Sequence, residues 1–253
     1  MNDPQQVDRL IQRLETLAAL SDEEKQALHG VPMTVKAFKA FKAFKADQDI
    51  VREGDSPAEC CLVLEGMVFR YLALDDGRRQ IMGFYIPGDI PDLQSLHITT
   101  MDHSVASLVP TTVAFIPHQS LNELNARHPT IANALWRDTI VDAAMFRLWM
   151  VGLGQRSAHE RLAHLLCELL LRFRAVGLAE DEQTCAFPMT QTELGDALGL
   201  TTVHVNRVIQ DLRRDGLITL GRGSLCINDW ERLRQRAKFN PLYLHLDGRE
   251  ARP

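Results

Sequence analysis

The chain has 253 residues, of which 45% are hydrophobic and 24% charged, the balance of a globular protein with one large or two modest domains. Its N-terminus lacks a basic start followed by an apolar run, and no stretch is apolar enough to span a membrane. We therefore expect a cytoplasmic protein with no membrane partner. Five cysteines are scattered without a C-x-x-C pair, which favours reduced thiols over a disulfide framework.

The net charge of −5 would argue against nucleic-acid binding if it were evenly spread, but it is not. Residues 1–154 carry 14 basic and 20 acidic side chains, whereas residues 155–253 carry 14 basic and 13 acidic ones. Residues 204–238 alone hold eight basic and four acidic side chains. Such a local excess of positive charge is typical of a surface that contacts phosphates.

Residues 1–30 are predicted to form a helical lead-in. Four leucines recur at helical spacing: Leu10, Leu14, Leu17 and Leu20. Ser21 followed three residues later by Glu24 matches a capping box, so a second helix is expected to begin there.

Residues 31–128 change to short β-rich runs separated by turns. Four turn pairs recur at intervals near 11 residues, namely Gly54-Asp55, Glu65-Gly66, Asp76-Gly77 and Pro87-Gly88. This regular alternation predicts a small barrel or roll. Residues 36–46, KAFKAFKAFKA, repeat every three residues, which fits neither a strand nor a helix; we interpret them as a short-repeat expansion, with a basic-aromatic nucleic-acid tract as the alternative.

A long helix is predicted after Pro129, and residues 129–154 are assigned to it and to a hinge at Gly152 and Gly154. Its apolar seam contains residues at seven-residue spacing and one neighbour: Ala134, Val141, Leu148 and Met145. Such a stripe is either core or a contact with a second copy, and its length favours a homodimer.

Residues 155–253 are predicted to form a winged helix-turn-helix domain. Ser157 and Glu160 cap a helix over 158–175. In the motif itself, Thr190 and Glu193 make a further capping box, a tight turn lies at Gly199-Leu200, and Thr201 caps the second helix. That helix ends at Asp215-Gly216, and two short strands around 221–223 form the wing.

One valine on the second helix faces away from its apolar stripe. The stripe consists of Val205, Val208, Ile209 and Leu212. Val203 lies on the opposite side, among polar neighbours. An isolated exposed valine is common, so its meaning depends on what this face contacts.

The sequence resembles the Crp/Fnr superfamily of bacterial transcription regulators over almost the whole chain. The resemblance rests on "GDSPAECCLVLEGMVFRYLALDDGRRQIMGFYIPGDI", on the long helix, and above all on "TQTELGDALGLTTVHVNRVIQDLRRDGLI". It implies an α+β fold: an N-terminal jelly-roll-like β-roll of the cyclic-nucleotide-binding type, a dimerisation helix, and a C-terminal winged helix-turn-helix that binds palindromic double-stranded DNA. RNA polymerase is a candidate further partner.

On this interpretation one face of the second helix enters the major groove and carries Val203, His204, Asn206, Arg207 and Gln210. The valine methyls can contact the thymine methyl, and Arg207 can bind guanine O6 and N7. Thr190, Thr192 and Thr202 are candidate phosphate contacts as well as helix caps, and Arg222 is the candidate contact from the wing.

The resemblance also locates an effector pocket. Relatives that bind cyclic AMP use a Gly-Glu pair for the ribose and an Arg-Ser/Thr pair for the phosphate; the matching positions here are Gly88-Asp89 and His103-Ser104. Because the phosphate arginine is missing, we expect cyclic AMP not to be the effector. No cysteine precedes Cys60, so no oxygen-sensing iron-sulfur cluster is expected; His97 or His103 could ligate haem, but a surface histidine is the simpler interpretation.

Two rival functions can be stated. A sensor module whose winged helix contacts protein instead of DNA would keep the architecture but leave the basic face unexplained. An enzyme would need a nucleophile-base pair, a metal triad or a phosphate loop, and no such spacing stands out, so neither catalytic nor metal-binding residues are expected.

Overall fold

The computed structural model describes residues 4–39, 49–221 and 223–246. It begins with two helices, α1 (Pro4–Glu15) and α2 (Asp22–His29). The capping box at the start of α2 is confirmed, because Glu24 donates its amide to the Ser21 hydroxyl and accepts the Ser21 amide with its carboxylate at 2.8 Å. Residues 40–46, the larger part of the repeat at 36–46, lie outside the described residues.

The predicted roll is confirmed. Its strands are β1 (Thr34–Phe38), β2 (Asp49–Val51), β3 (Glu59–Glu65), β4 (Val68–Ala73), β5 (Arg79–Tyr85), β6 (Ser104–Ser107) and β7 (Thr111–Pro117). One antiparallel sheet has the order β1-β7-β3, and the other has the order β2-β6-β4-β5. The glycine of each predicted turn pair has a positive φ: Gly54, Gly66, Gly77 and Gly88. The turn at Gly66 is tight, since a Cβ there would lie 2.5 Å from the Pro110 carbonyl oxygen.

The two faces of β3 and β7 pack against different partners. Because side chains alternate along a strand, Cys60 and Leu62 of β3 join Ala114 and Ile116 of β7 on one face. That face packs on the helical lead-in, whose buried side chains include Val7, Leu10, Ile11 and Leu14. The opposite face contributes Val63 to a separate cluster with Val51, Val68, Tyr85, Met101 and Val105. The lead-in is therefore part of the core of the roll.

After α3 (His118–Arg127), a long helix, α4, runs over Pro129–Gln155. The predicted hinge at Gly152 and Gly154 is wrong, because α4 continues as a helix through both glycines. Gly152 is buried, and a Cβ there would meet the Arg161 side chain at 3.7 Å, which is an ordinary van der Waals contact. Helical hydrogen bonding along α4 outweighs the modest cost of two glycines, about 1 kcal/mol each.

The predicted contact between copies through Ala134 and Val141 is also wrong. Their exposed fractions are 0% and 2% within the single chain, and Ala134 belongs to the core cluster with Leu10 and Leu14. Side chains with no exposed surface cannot bury more against a second copy. Met145 and Leu148 are half-buried. The seven-residue pattern thus identified an apolar face correctly, but Ala134 and Val141 on that face are buried within the single chain, Ala134 in its core cluster.

The C-terminal elements are α5 (Ala158–Ala175), β8 (Thr184–Ala186), α6 (Gln191–Leu198), α7 (Thr202–Arg214), β9 (Ile218–Gly221), β10 (Ser224–Ile227) and α8 (Trp230–Ala237). The predicted helix over 158–175, the helix-turn-helix and the wing hairpin β9-β10 are confirmed. Strand β8, which pairs with β10, and helix α8 were not predicted.

The chain forms two compact units. Unit 1 consists of the described residues within 1–72, 83–143 and 245–253, and unit 2 of those within 73–82 and 144–244. The division falls inside α4, ahead of the boundary expected after residue 154. Among the described residues, no helix is both long and apolar enough to cross a membrane.

Candidate DNA-binding and effector sites

Two glycines set the turn of the helix-turn-helix. Gly199 ends α6 in the left-handed region with φ 61°, where a side chain would be strained. Gly195 lies one turn earlier, and a Cβ there would come within 2.6 Å of the Leu200 carbonyl oxygen. Thr190 caps α6 in a capping box with Glu193, and Thr201 caps α7 by accepting the amide of His204 at 3.2 Å. The start of α7 is therefore held rigidly relative to α6.

The burial pattern of α7 matches the prediction. Val205, Val208, Ile209 and Leu212 are buried. Val203 is 79% exposed, more than any other large apolar side chain among the described residues. Thr202, Asn206, Arg207 and Gln210 are exposed beside it, and His204 is half-buried. On α6, Thr190 and Thr192 are exposed at the N-terminal end, while Arg222 lies outside the described residues.

The basic side chains near α7 differ in how they are engaged. The cations of α8 and its C-terminal cap all pair with acids: Arg232 with Asp229, Arg234 with Glu231, Arg236 with Asp215 and Lys238 with Glu160. On α7, Arg214 pairs with Asp211 at 2.7 Å. Arg207 makes no ion pair with any described residue. Its guanidinium is therefore available to an external partner, which the count of charges over 204–238 could not reveal.

The four predicted effector positions are engaged by the chain itself. Gly88, with φ 99°, packs so closely on α1 that a Cβ would lie 2.6 Å from the Arg9 carbonyl oxygen. Asp89 accepts the amide of Ile86 at 2.8 Å and lies 3.9 Å from Arg13. His103 is buried, with its Nδ1 2.6 Å from an Asp102 carboxylate oxygen and its Nε2 3.1 Å from Gln94. The Ser104 hydroxyl accepts the amide of Glu53 at 3.0 Å.

Arg70 of β4 also lies in the region of the predicted effector positions, although the sequence did not indicate it. It donates to Asp142 of α4 at 2.8 Å and to the Pro91 carbonyl oxygen, and Tyr85 donates to the same carboxylate at 2.9 Å. Burial lowers the pKa of His103, and the nearby charge of Arg70 lowers it further. The lowered pKa disfavours a charged His103, so the cation beside Asp142 is Arg70 and not His103. Its place in the sequence between two aromatic residues that prove to be buried, Phe69 and Tyr71, could have indicated a functional arginine.

The geometry agrees with two domain families. A cyclic nucleotide-binding domain matches residues 41–128, and a Crp-like helix-turn-helix domain matches residues 160–236. The transcriptional activator protein anr of Pseudomonas aeruginosa is 31% identical over 170 residues, which cover 67% of this chain and 69% of that protein. The chain belongs to the Crp/Fnr family.

Further Crp/Fnr relatives extend the similarity. The transcriptional activator protein FnrL of Cereibacter sphaeroides is 28% identical over 228 residues, which cover 89% of each chain. The solved structure of FixK2 from Bradyrhizobium japonicum superposes with a TM-score of 0.69 at 26% identity, over 81% of this chain and 97% of that one. The β-roll, long helix and helix-turn-helix are thus those of a Crp/Fnr-type transcription regulator.

The cysteines do not fit an iron-sulfur cluster of the kind that Crp/Fnr members with an oxygen sensor carry. They lie on four elements: Cys60 and Cys61 on β3, Cys167 on α5, Cys185 on β8 and Cys226 on β10. Among the described residues, no three His, Cys, Asp or Glu side chains converge on a possible metal position. Burial raises the pKa of Cys60 to about 12, which favours the thiol over the thiolate that a metal needs.

An exposed apolar stripe runs along the outer face of α4, and we define it by Trp136, Ala143, Phe146 and Met150. Trp136, Ala143 and Met150 are seven residues apart, as in a helix-pairing seam. The exposed fractions are 59% for Trp136, 41% for Phe146 and 59% for Met150. At about 100° per residue, Ala143 lies half a turn around the helix from the buried Ala134. The stripe, and not the predicted seam, is the face of α4 that remains open to a partner.

The buried Asp92 predicts a pH-dependent stability. Its side chain is fully buried, one oxygen accepts the Cys61 amide at 2.8 Å, and the other has no partner among the described residues. Burial raises its pKa from 3.8 to about 7, so the folded protein keeps the carboxyl protonated where the unfolded chain ionises it. Its contribution to the free energy of unfolding is complete below pH 3.8 and is lost as the pH rises towards 7.

Asp92→Asn should remove this pH dependence. Between pH 4 and 7 the unfolding free energy of the variant, measured relative to the unmutated protein, should rise by up to about 4 kcal/mol. Urea unfolding across that range measures the difference. Asp75→Asn, which changes an exposed carboxyl, serves as control and should show no such slope. A constant difference between Asp92→Asn and the unmutated protein would contradict the prediction.

Proposed function

We propose that the protein is a homodimeric transcription regulator that binds an inverted-repeat DNA site through α7 and acts by binding, not by catalysis. The observation that carries this proposal is the unpaired Arg207 beside the 79% exposed Val203 on a helix whose other face is buried. A surface that displays an unpaired guanidinium and an unpartnered methyl group at the start of a rigidly held helix suits the major groove. A regulator that binds DNA in this way would act in the bacterial cytoplasm, which is the location that we propose.

The relatives support the rest of the proposal. Several are named transcriptional activators, so RNA polymerase is the partner that we propose for the DNA-bound dimer. Thr190, Thr192 and Thr202 are proposed to contact phosphates from exposed positions at the N-terminal ends of α6 and α7, and Arg222 from the wing. The alternative in which the winged helix contacts protein instead of DNA is not favoured by the Crp/Fnr relatives.

We propose that the dimer forms through the exposed stripe of α4. Met150→Glu places a charge in a surface that becomes buried, so it should raise the dimer dissociation constant by about a hundredfold or more. Sedimentation equilibrium or light scattering measures the change. The control is Leu242→Glu, the same type of change at a residue that is 73% exposed outside α4, and it should leave the dimer intact. A monomeric unmutated protein, or a dimeric Met150→Glu variant, would show the proposal to be wrong.

The DNA contacts can be tested residue by residue on an operator whose half-sites lie about 34 Å apart, one helical turn. Arg207→Ala should cost about 1 to 3 kcal/mol per half-site and relax the preference for one guanine. Val203→Glu replaces a methyl contact by an acceptor, so it should move the preferred base pair from one with thymine towards one that presents cytosine N4.

Selection from randomised DNA gives the readout for these variants. Arg214→Ala is the matched control, because it removes the same type of residue from the same helix but one that already pairs with Asp211. It should leave the selected sequence unchanged. If Val203→Glu also selects the unchanged sequence, Val203 does not face the groove and is an ordinary exposed valine.

We also propose that cyclic AMP does not regulate the protein. His103 offers no bidentate cation for the cyclic phosphate, and Arg70 and Arg13 already pair with Asp142 and Asp138. Losing a charge-assisted hydrogen bond removes about 1.5 to 3 kcal/mol, so the dissociation constant should exceed about 1 mM. Isothermal calorimetry near neutral pH is the measurement, and micromolar binding would refute this part of the proposal.

A further inference from the structure

A half-open pocket lies within unit 1. It is lined by the short 3-10 helix Leu93–Leu96 and the two residues after it, by α3, and by the N-terminal half of α4. Its cavity volume is about 140 Å³. None of the four predicted effector positions lines it, so we name it separately as the α3–α4 pocket. Its walls are mostly apolar and consist of Leu93, Leu96, Ile98, Ala132, Leu135 and Trp136.

One buried polar atom in the lining has no partner among the described residues. The Gln94 amide is engaged, since its nitrogen lies 3.1 Å from His103 Nε2. The Thr139 hydroxyl is also engaged, because it donates to the Leu135 carbonyl oxygen at 3.2 Å. Asn125 Oδ1, in contrast, is buried and accepts no hydrogen bond from a described residue. A buried acceptor without a donor is costly, so the pocket calls for a donor from outside.

A single water molecule would not fill the α3–α4 pocket. One water needs only about 10 to 15 Å³ of such space, together with about two to four polar partners. The pocket offers about 140 Å³, which is room for several waters, but its apolar walls offer them few partners. A cavity of this size with aliphatic and aromatic walls is large enough for a molecule of the size of benzene.

The lining favours an uncharged occupant. Of the described residues that line the pocket, only His97 is titratable, and it is exposed. The lining contains no Asp, Glu, Lys or Arg among those residues. A charged ligand would lose its hydration here without an opposite charge to replace it. The occupant should therefore be neutral.

We propose that the α3–α4 pocket binds a small uncharged aromatic molecule that carries a hydroxyl group, of the size of phenol. The ring would pack against the leucine walls and the Trp136 indole, and the hydroxyl would donate to Asn125 Oδ1. A purely apolar molecule would leave Asn125 without a donor. A polyol would leave the apolar walls without a suitable contact.

Occupancy of the pocket would be linked to dimer formation, a consequence that rests on the proposed function. Trp136 forms one wall of the α3–α4 pocket and also belongs to the exposed stripe of α4. The ligand and a second copy would therefore contact the same side chain. Because a ligand that holds the indole in one orientation removes part of the ordering cost of association, its binding should favour the dimer.

The test titrates the full chain with para-fluorophenol and follows the ligand by fluorine NMR. Binding should be saturable with a dissociation constant on the order of 1 mM, as befits a ligand of this size. Fluorobenzene lacks the hydroxyl and should bind about fivefold more weakly. The para-fluorobenzoate ion brings a charge to an uncharged lining and should bind at least about tenfold more weakly than para-fluorophenol.

Two variants assign the binding to the pocket. Asn125→Leu removes the acceptor, so it should lower the affinity for para-fluorophenol about fivefold and leave that for fluorobenzene unchanged. Ala132→Phe fills the cavity, so it should weaken both ligands at least about tenfold. The matched controls are Asn122→Leu and Ala126→Phe, which change exposed positions of α3 outside the lining and should bind both ligands as the unmutated protein does.

Three results would overturn the proposal. They are the absence of saturable binding, equal affinity of the unmutated protein for para-fluorophenol and fluorobenzene, and unchanged binding in both pocket variants. Asn125→Leu exchanges side chains of similar size at a half-buried helix position, so it decides the question even if Ala132→Phe fails to fold.

A second measurement keeps the ligand and the dimer separate. In sedimentation equilibrium, saturating para-fluorophenol should lower the dimer dissociation constant of the unmutated protein about threefold but leave that of Ala132→Phe unchanged. A chain that is monomeric with and without ligand would refute the proposed dimer, while the NMR titration still decides on the pocket. An unchanged or higher dimer dissociation constant would overturn the coupling, and a higher one would mean that a side chain of the second copy fills the pocket.

Discussion

The burial of one face of α4 in the chain's own core is the constraint on which the other features depend. Ile131, Ala134 and Leu135 pack against the leucines of the lead-in, and this fixes the rotation of the helix about its axis. Once that rotation is set, Asp138 and Asp142 face the arginines of the roll region, and Trp136 and Met150 face solvent. A single helical period thus distributes core, ion-pairing and exposed residues around one element.

The polar contacts of α4 explain why the effector region is self-contained. Arg13 of the lead-in pairs with Asp138 at 2.7 Å, and Arg70 pairs with Asp142 at 2.8 Å. These pairs are largely buried, so removing one partner would leave an uncompensated charge, which costs about 3 to 5 kcal/mol. Both arginines therefore already have a carboxylate partner on α4.

The elements that the sequence predicted correctly are those with strong local signals. Three capping boxes, at Ser21, Ser157 and Thr190, and the glycines at the turns of the roll set element ends through hydrogen bonds and φ angles that depend on a few adjacent residues. The exposed position of Val203 followed from the helical period alone. In each case the physics that decides the structure is contained within one or two turns of chain.

What the sequence could not show depends on contacts between distant residues. The seven-residue pattern on α4 indicated an apolar face, but only the packing of the lead-in shows that this face is covered by the same chain. Arg70 and Asp142 are 72 positions apart, so their pairing has no local signature. Likewise, eight basic residues over 204–238 suggest a broad cationic surface, but five of them pair with acids that the sequence could not identify.

The acidic partners of the α8 cations affect how the protein would discriminate among DNA sequences. An α8 cation that already pairs with an acid displaces few counterions from the DNA when it approaches a phosphate. It therefore adds little to the attraction for DNA of any sequence. Affinity then depends more on the groups that reach base edges and less on the total charge of the domain. For a regulator that must find a rare site among an enormous excess of other DNA, internal neutralisation of α8 widens the gap between correct and incorrect sites at cellular salt.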